Sequence, residues 1–145
     1  MNKNLGGLLK VFLWFICAFH VIVGVGLNVS PAFPQAMADY YGASVDWSPA
    51  FLYIVKPIGA FMIALGVMAA AAARDPMGHG AVVYGFVVLF VIRGLQRLVF
   101  QEEIAEAVAI AANRNITNAV VFLVMAAALF LLFRAAAKGD SGATG

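Results

Sequence analysis

The chain has 145 residues, of which 64% are hydrophobic and only 11% charged, with a formal net charge of +2. Its mean hydropathy of +0.96 lies far outside the range of soluble domains, and so small and dispersed a charge excludes nucleic acid as a partner. A single cysteine, Cys17, excludes an intrachain disulfide, a CxxC redox pair and a cysteine-built zinc site.

Apolar residues concentrate in four stretches, 8–27, 49–73, 81–100 and 116–133. Each is about 18 to 25 residues long, the length an α-helix needs to cross about 30 Å of hydrocarbon. The pattern predicts an all-α polytopic membrane protein, a four-transmembrane-helix bundle in which residues 1–145 form one membrane domain. The long connections are 28–48 and 101–115, and the Gly-rich tail after Arg134 is expected to fray.

Before the first span stand Lys3 and Lys10; Arg74 lies between the second and third, and Arg134 and Lys138 follow the fourth. The first long connection carries Asp39 and Asp46 without Lys or Arg, and the second sets Glu102, Glu103 and Glu106 against Arg114. The positive-inside rule then places both termini in the cytoplasm, with the protein in a bacterial inner membrane. The basic start, apolar run and Ala36-Met37-Ala38 also imitate a cleavable signal peptide. Against this, the run from Val11 to Leu27 is longer than a usual signal core, and Pro31 and Pro34 precede the cleavage-like site.

Asn28-Val29-Ser30-Pro31 reads as a helix stop, and the aromatic-rich segment 31–41 as an interfacial belt or short surface helix. Ser48 caps the second span, with Pro49 in its first turn and Trp47 at headgroup depth. Arg74-Asp75-Pro76-Met77-Gly78-His79-Gly80 forms a tight hairpin. Residues 101–112 have helical composition, and Asn113-Arg114-Asn115 is expected to break that helix. Asn115-Ile116-Thr117 also matches a glycosylation sequon, irrelevant in a bacterium. Gly24, Gly26, Gly59, Ala60, Ala64, Gly66, Gly85 and Gly94 let helix backbones approach closely, within one chain or between copies.

Charges inside spans are costly and therefore informative. Lys56 in the second span and Arg93 and Arg97 in the third fall at similar depth, and the two arginines share a helix face. They are expected to converge. One reading folds Glu102, Glu103 and Glu106 over them as an ion-pair network or gate. The other is an outward-facing pocket for an anionic lipid, a quinone-like molecule or an aromatic acid, with Gln96, Asn118, Thr117 and Tyr53 adding neutral hydrogen bonds. Pro57 cannot donate to the carbonyl of Tyr53, which implies either a packing kink or a polar lining beside Lys56.

His20 is expected to hydrogen-bond within the bundle. An intramembrane His can also ligate haem or a chlorin, but His79 lies at the opposite membrane side and Ile16 occupies the position where chlorin-binding antenna helices carry Ala. No cofactor or metal is predicted.

Taken in order, these features resemble the small bacterial four-helix membrane proteins of the BphX-like group. The resemblance rests on Leu27-Asn28-Val29-Ser30-Pro31, a basic residue before Gly59-Ala60 with Gly66 further on, an Arg-Asp-Pro hairpin, and Arg93-Gly94-Leu95-Gln96-Arg97. It spans residues 8–100 and implies the four-helix architecture, without assigning a role to any residue.

Motif spacing shows no metal-ligand set, no nucleophile–base pair and no phosphate loop. Two functional classes follow: a non-catalytic accessory or assembly subunit with protein partners or copies of itself in the membrane, and a binding or carrier protein for the anionic ligand. An enzyme ranks behind both.

Overall fold

A computed structural model describes residues 3–141, with the side chains of residues 5–138; the side chain of Lys3 and residues 142–145 lie outside the described residues. Six helices follow one another: α1 (Lys3–Val29), α2 (Ala32–Tyr41), α3 (Pro49–Arg74), α4 (Gly80–Val99), α5 (Gln101–Val108) and α6 (Ala112–Ser141). Four of them, α1, α3, α4 and α6, are long and apolar enough to cross a membrane. The protein is an all-α four-helix bundle with two short helices at one end.

Local chemistry sets the boundaries. Asn28 turns its Nδ2 back to the carbonyl of Gly24 (2.9 Å) near the end of α1. Helix α2 stops at Gly42, whose φ of 66° is left-handed, and the Gly42 N–H donates to the carbonyls of Ala38 and Asp39. Ser48 caps α3 by accepting from the Phe51 N–H at 3.3 Å, with Pro49 following as expected. In the hairpin, Asp75 Oδ1 accepts from the Gly78 N–H (3.0 Å) and His79 Nδ1 donates to the Asp75 carbonyl (2.9 Å).

Two boundaries differ from expectation. Asn113-Arg114-Asn115 does not break a helix; it belongs to the first turns of α6. The break lies just before it, where Ala109 adopts a left-handed φ of 54°. Asn residues suit a first turn because their side chains can engage leftover backbone groups, as Asn113 Oδ1 does with the Arg114 N–H at 2.7 Å. At the other end α6 continues through Arg134 to Ser141, and the remainder of the tail expected to fray, residues 142–145, lies outside the described residues.

The helices pack as two tight pairs, α1 with α3 and α4 with α6, joined chiefly through α1 and α6. Glycines permit both close approaches. A Cβ on Gly24 would lie 2.6 Å from the Gly59 carbonyl oxygen, and one on Gly66 3.3 Å from that of Cys17. In the second pair, a Cβ on Gly94 would lie 3.2 Å from the Ala119 oxygen. By contrast, Ala60 and Ala64 are exposed and take no part in this packing. Gly26 receives the Phe33 ring, which seats α2 on α1.

The core is one-sided. Leu9, Leu13 and Ile16 of α1, Ala69, Ala72 and Ala73 of α3, Val83, Phe86 and Phe90 of α4, and Ala126, Leu129 and Phe133 of α6 close the half of the bundle nearest the α3–α4 hairpin. Helices α3 and α4, despite their short link, touch least of the neighbouring spans, and this leaves a seam between them. At the other end α2 packs on α1 and α5 on α4 and α6, and the connection after α2 is tied to the end of α5 by the Ser44 N–H donating to the Val108 carbonyl at 2.8 Å.

Candidate functional site

In the half away from the hairpin, the four long helices diverge around a cavity of about 390 Å³. Helix α1 contributes Phe19 and His20, α3 contributes Phe51, Val55 and Leu65, α4 contributes Leu89, Phe90 and Arg93, and α6 contributes Phe122. Pro34 and Met37 of α2, with Val45 and Trp47 of the following connection, complete the wall. Trp47 meets Phe51 edge-on at 5.7 Å. The volume falls within the range of small-molecule sites.

Two polar side chains interrupt this apolar lining. Arg93, an exposed residue at the edge of the lining, sits over the face of Phe122, its guanidinium carbon 5.6 Å from the ring centroid, a cation–π contact. Among the described residues it has no hydrogen bond and no carboxylate within 4.0 Å. His20 is 4% exposed, donates from Nδ1 to the Ile16 carbonyl at 2.8 Å, and packs edge-on against Phe19 and Phe86. With Nδ1 committed as a donor, Nε2 of the neutral ring is an acceptor, and it has no partner among the described residues. The site thus offers a guanidinium donor and an imidazole acceptor on an aromatic wall.

Of the three intramembrane cations, Arg93 and Arg97 share the Phe122 ring, and only Arg93 lines the cavity. Lys56 is exposed on α3, as are Tyr53 and Pro57, and none of them lines the cavity. Although Arg97 lies one turn from Arg93 and 6.0 Å from Phe122, its hydrogen bonds lie elsewhere. Arg97 Nη1 donates to Asn115 Oδ1 at 2.9 Å, and Asn115 Nδ2 donates back to the Arg97 carbonyl at 2.6 Å. Asn115 is 1% exposed, so the acceptor asparagine of its sequon is buried, whereas Ile116 and Thr117 are exposed. Glu102, Glu103 and Glu106 are exposed on α5, and none is within 4.0 Å of a described Lys or Arg nitrogen.

Gln96 is exposed, and Thr117 donates to the Asn113 carbonyl at 2.9 Å. Asn118 is half-buried and its Nδ2 is enclosed without a partner, outside the cavity lining. Sequence reasoning missed Asn115 as the partner of Arg97. The available signal was a polar residue in the first turns of the fourth span, at the depth of an arginine near the end of the third. It also missed the aromatic wall, because aromatics occur on all faces of these helices.

Among the described residues no group of three His, Cys, Asp or Glu side chains could hold a metal ion. No family model matches the chain, and neither does any curated protein or solved structure.

Proposed function

We propose that this protein is a small binding or carrier protein, integral to a bacterial cytoplasmic membrane, that holds an anionic amphiphile in the Arg93 cavity. Both termini face the cytoplasm in this reading, since Lys10, Arg74, Arg134 and Lys138 gather at one end and Asp39, Asp46, Glu102, Glu103 and Glu106 at the other. The cavity then lies in the outer half of the bilayer.

The observation that carries the proposal is the Arg93 guanidinium, exposed at an apolar cavity wall with no hydrogen bond or carboxylate partner among the described residues. A cation at membrane depth is costly unless paired, and an anionic headgroup would supply the partner the chain itself does not. His20 Nε2 adds a place for a hydroxyl or water deeper in the same cavity. An accessory-subunit role draws less support: the outward faces of α3 and α6 are the broadly apolar surface that lipid alone would cover.

Native mass spectrometry of protein extracted from its own membrane in mild detergent tests this. One reproducible acidic adduct is expected, with affinity reduced about 10- to 100-fold in Arg93→Gln, the usual loss for a charged hydrogen bond. The Arg93→Gln bundle is expected to keep its helical circular dichroism and melting temperature. Stoichiometric protein partners with no adduct would overturn the proposal in favour of the accessory subunit.

A further inference from the structure

The cavity does not end at its own floor. A second apolar hollow of about 470 Å³ lies between α3 and α4, and Leu65 and Leu89 line both. It continues toward the hairpin along Met68 of α3 and Val82 and Gly85 of α4. We propose that this seam is the chain-binding part of the Arg93 site, and that its occupant is a single-chain carboxylate of the fatty-acid type, admitted sideways from the bilayer. The proposal rests on the reading of the Arg93 cavity as a binding site and assigns its ligand class.

Three observations converge on that class. From Arg93 to Val82 the seam spans about 16 Å of α4 at 1.5 Å per residue, close to half of a 30 Å hydrocarbon core and so to one extended acyl chain. The seam separates two adjacent helices that still touch, which suits one chain rather than the pair carried by a phospholipid. At its head stands one cavity-lining guanidinium, because neither Arg97, which donates to Asn115, nor Lys56 lines the cavity. One guanidinium matches a carboxylate in charge and in its two-pronged geometry, whereas a phosphate dianion calls for more donors.

Gly85 allows the seam to be closed without disturbing the bundle. A Cβ there meets nothing within 4 Å, yet the residue lines the seam about 12 Å down α4 from Arg93. Gly85→Phe would fill the path of a long chain and leave the head cavity open; Gly85→Leu is the smaller alternative should the phenylalanine variant misfold.

The experiment is equilibrium binding of tritiated hexadecanoate to the purified protein in nanodiscs of zwitterionic phospholipid, with protein-free discs correcting for partition. Octanoate, hexadecanol and hexadecyl phosphate serve as competitors. We expect saturable binding that Arg93→Gln and Gly85→Phe each weaken by about tenfold or more, the latter as overfilling of a packed apolar site. Octanoate, whose chain ends short of Gly85, should compete equally well in wild type and Gly85→Phe, which also shows that the variant is folded. Hexadecanol should not compete. If Arg93→Gln abolishes binding while Gly85→Phe and Gly85→Leu leave it unchanged, the seam assignment falls and the cavity reading stands. Hexadecyl phosphate displacing better than hexadecanoate overturns the carboxylate assignment. No acid binding above the protein-free blank overturns both readings.

Discussion

Arg93 and Arg97 occupy successive turns of one helix, and their neighbours give them different work. Arg97 and Asn115 satisfy one another twice, and the second bond caps a carbonyl left over at the C-terminal end of α4. Asn115→Ala would strip both bonds, leaving a guanidinium and a carbonyl without partners in a part-buried setting. We expect a loss of about 2–3 kcal/mol, measured by denaturant titration in detergent micelles. Binding at Arg93 should survive in the fraction that remains folded. Lys56 is different again: exposed on α3, its long aliphatic stem lets the ammonium reach toward the nearer membrane surface.

Among the elements, the pair α1–α3 is held by backbone contact and the pair α3–α4 scarcely at all. In lipid no hydrophobic effect presses helices together, so contact depends on how near the backbones can come. Gly24→Val would drive a branched side chain into the Gly59 carbonyl, 2.6 Å from the new Cβ, and into Ile63 Cγ1 at 2.8 Å. The expected cost is about 1–3 kcal/mol, seen as a lower melting temperature by circular dichroism in detergent. Gly85, also within a span, has no such neighbour, and its tolerance of a large side chain is what makes the seam testable. Separation of α3 from α4 thus follows from where the close-packing glycines are: Gly24, Gly59 and Gly66 serve α1–α3, Gly94 serves α4–α6, and none serves α3–α4.

For the whole molecule, four helices long enough to cross a membrane would return the chain to its starting side, and in the proposed reading charge sets which side that is. In a Cys17→Ser background, a cysteine placed at Glu103 should react with a membrane-impermeant maleimide in intact cells, while one at Gly7 should react only after lysis. Both positions are exposed. The reverse pattern would invert the bundle and put the Arg93 cavity in the inner leaflet. Much of this architecture was legible in the sequence. Apolar runs of bilayer length allow only helices, because a backbone in hydrocarbon must bond to itself, and Ser48-Pro49 and Asp75-Pro76-Met77-Gly78 marked their turns through local chemistry that needs no distant partner. The rotation of each helix about its axis was not legible. Helices apolar on every side carry no hydrophobic stripe to say which face turns inward, so depth alone grouped Lys56, Arg93 and Arg97. Only the packing of the folded bundle turned Lys56 outward, gave Arg97 to Asn115, and left Arg93 and His20 on one cavity wall.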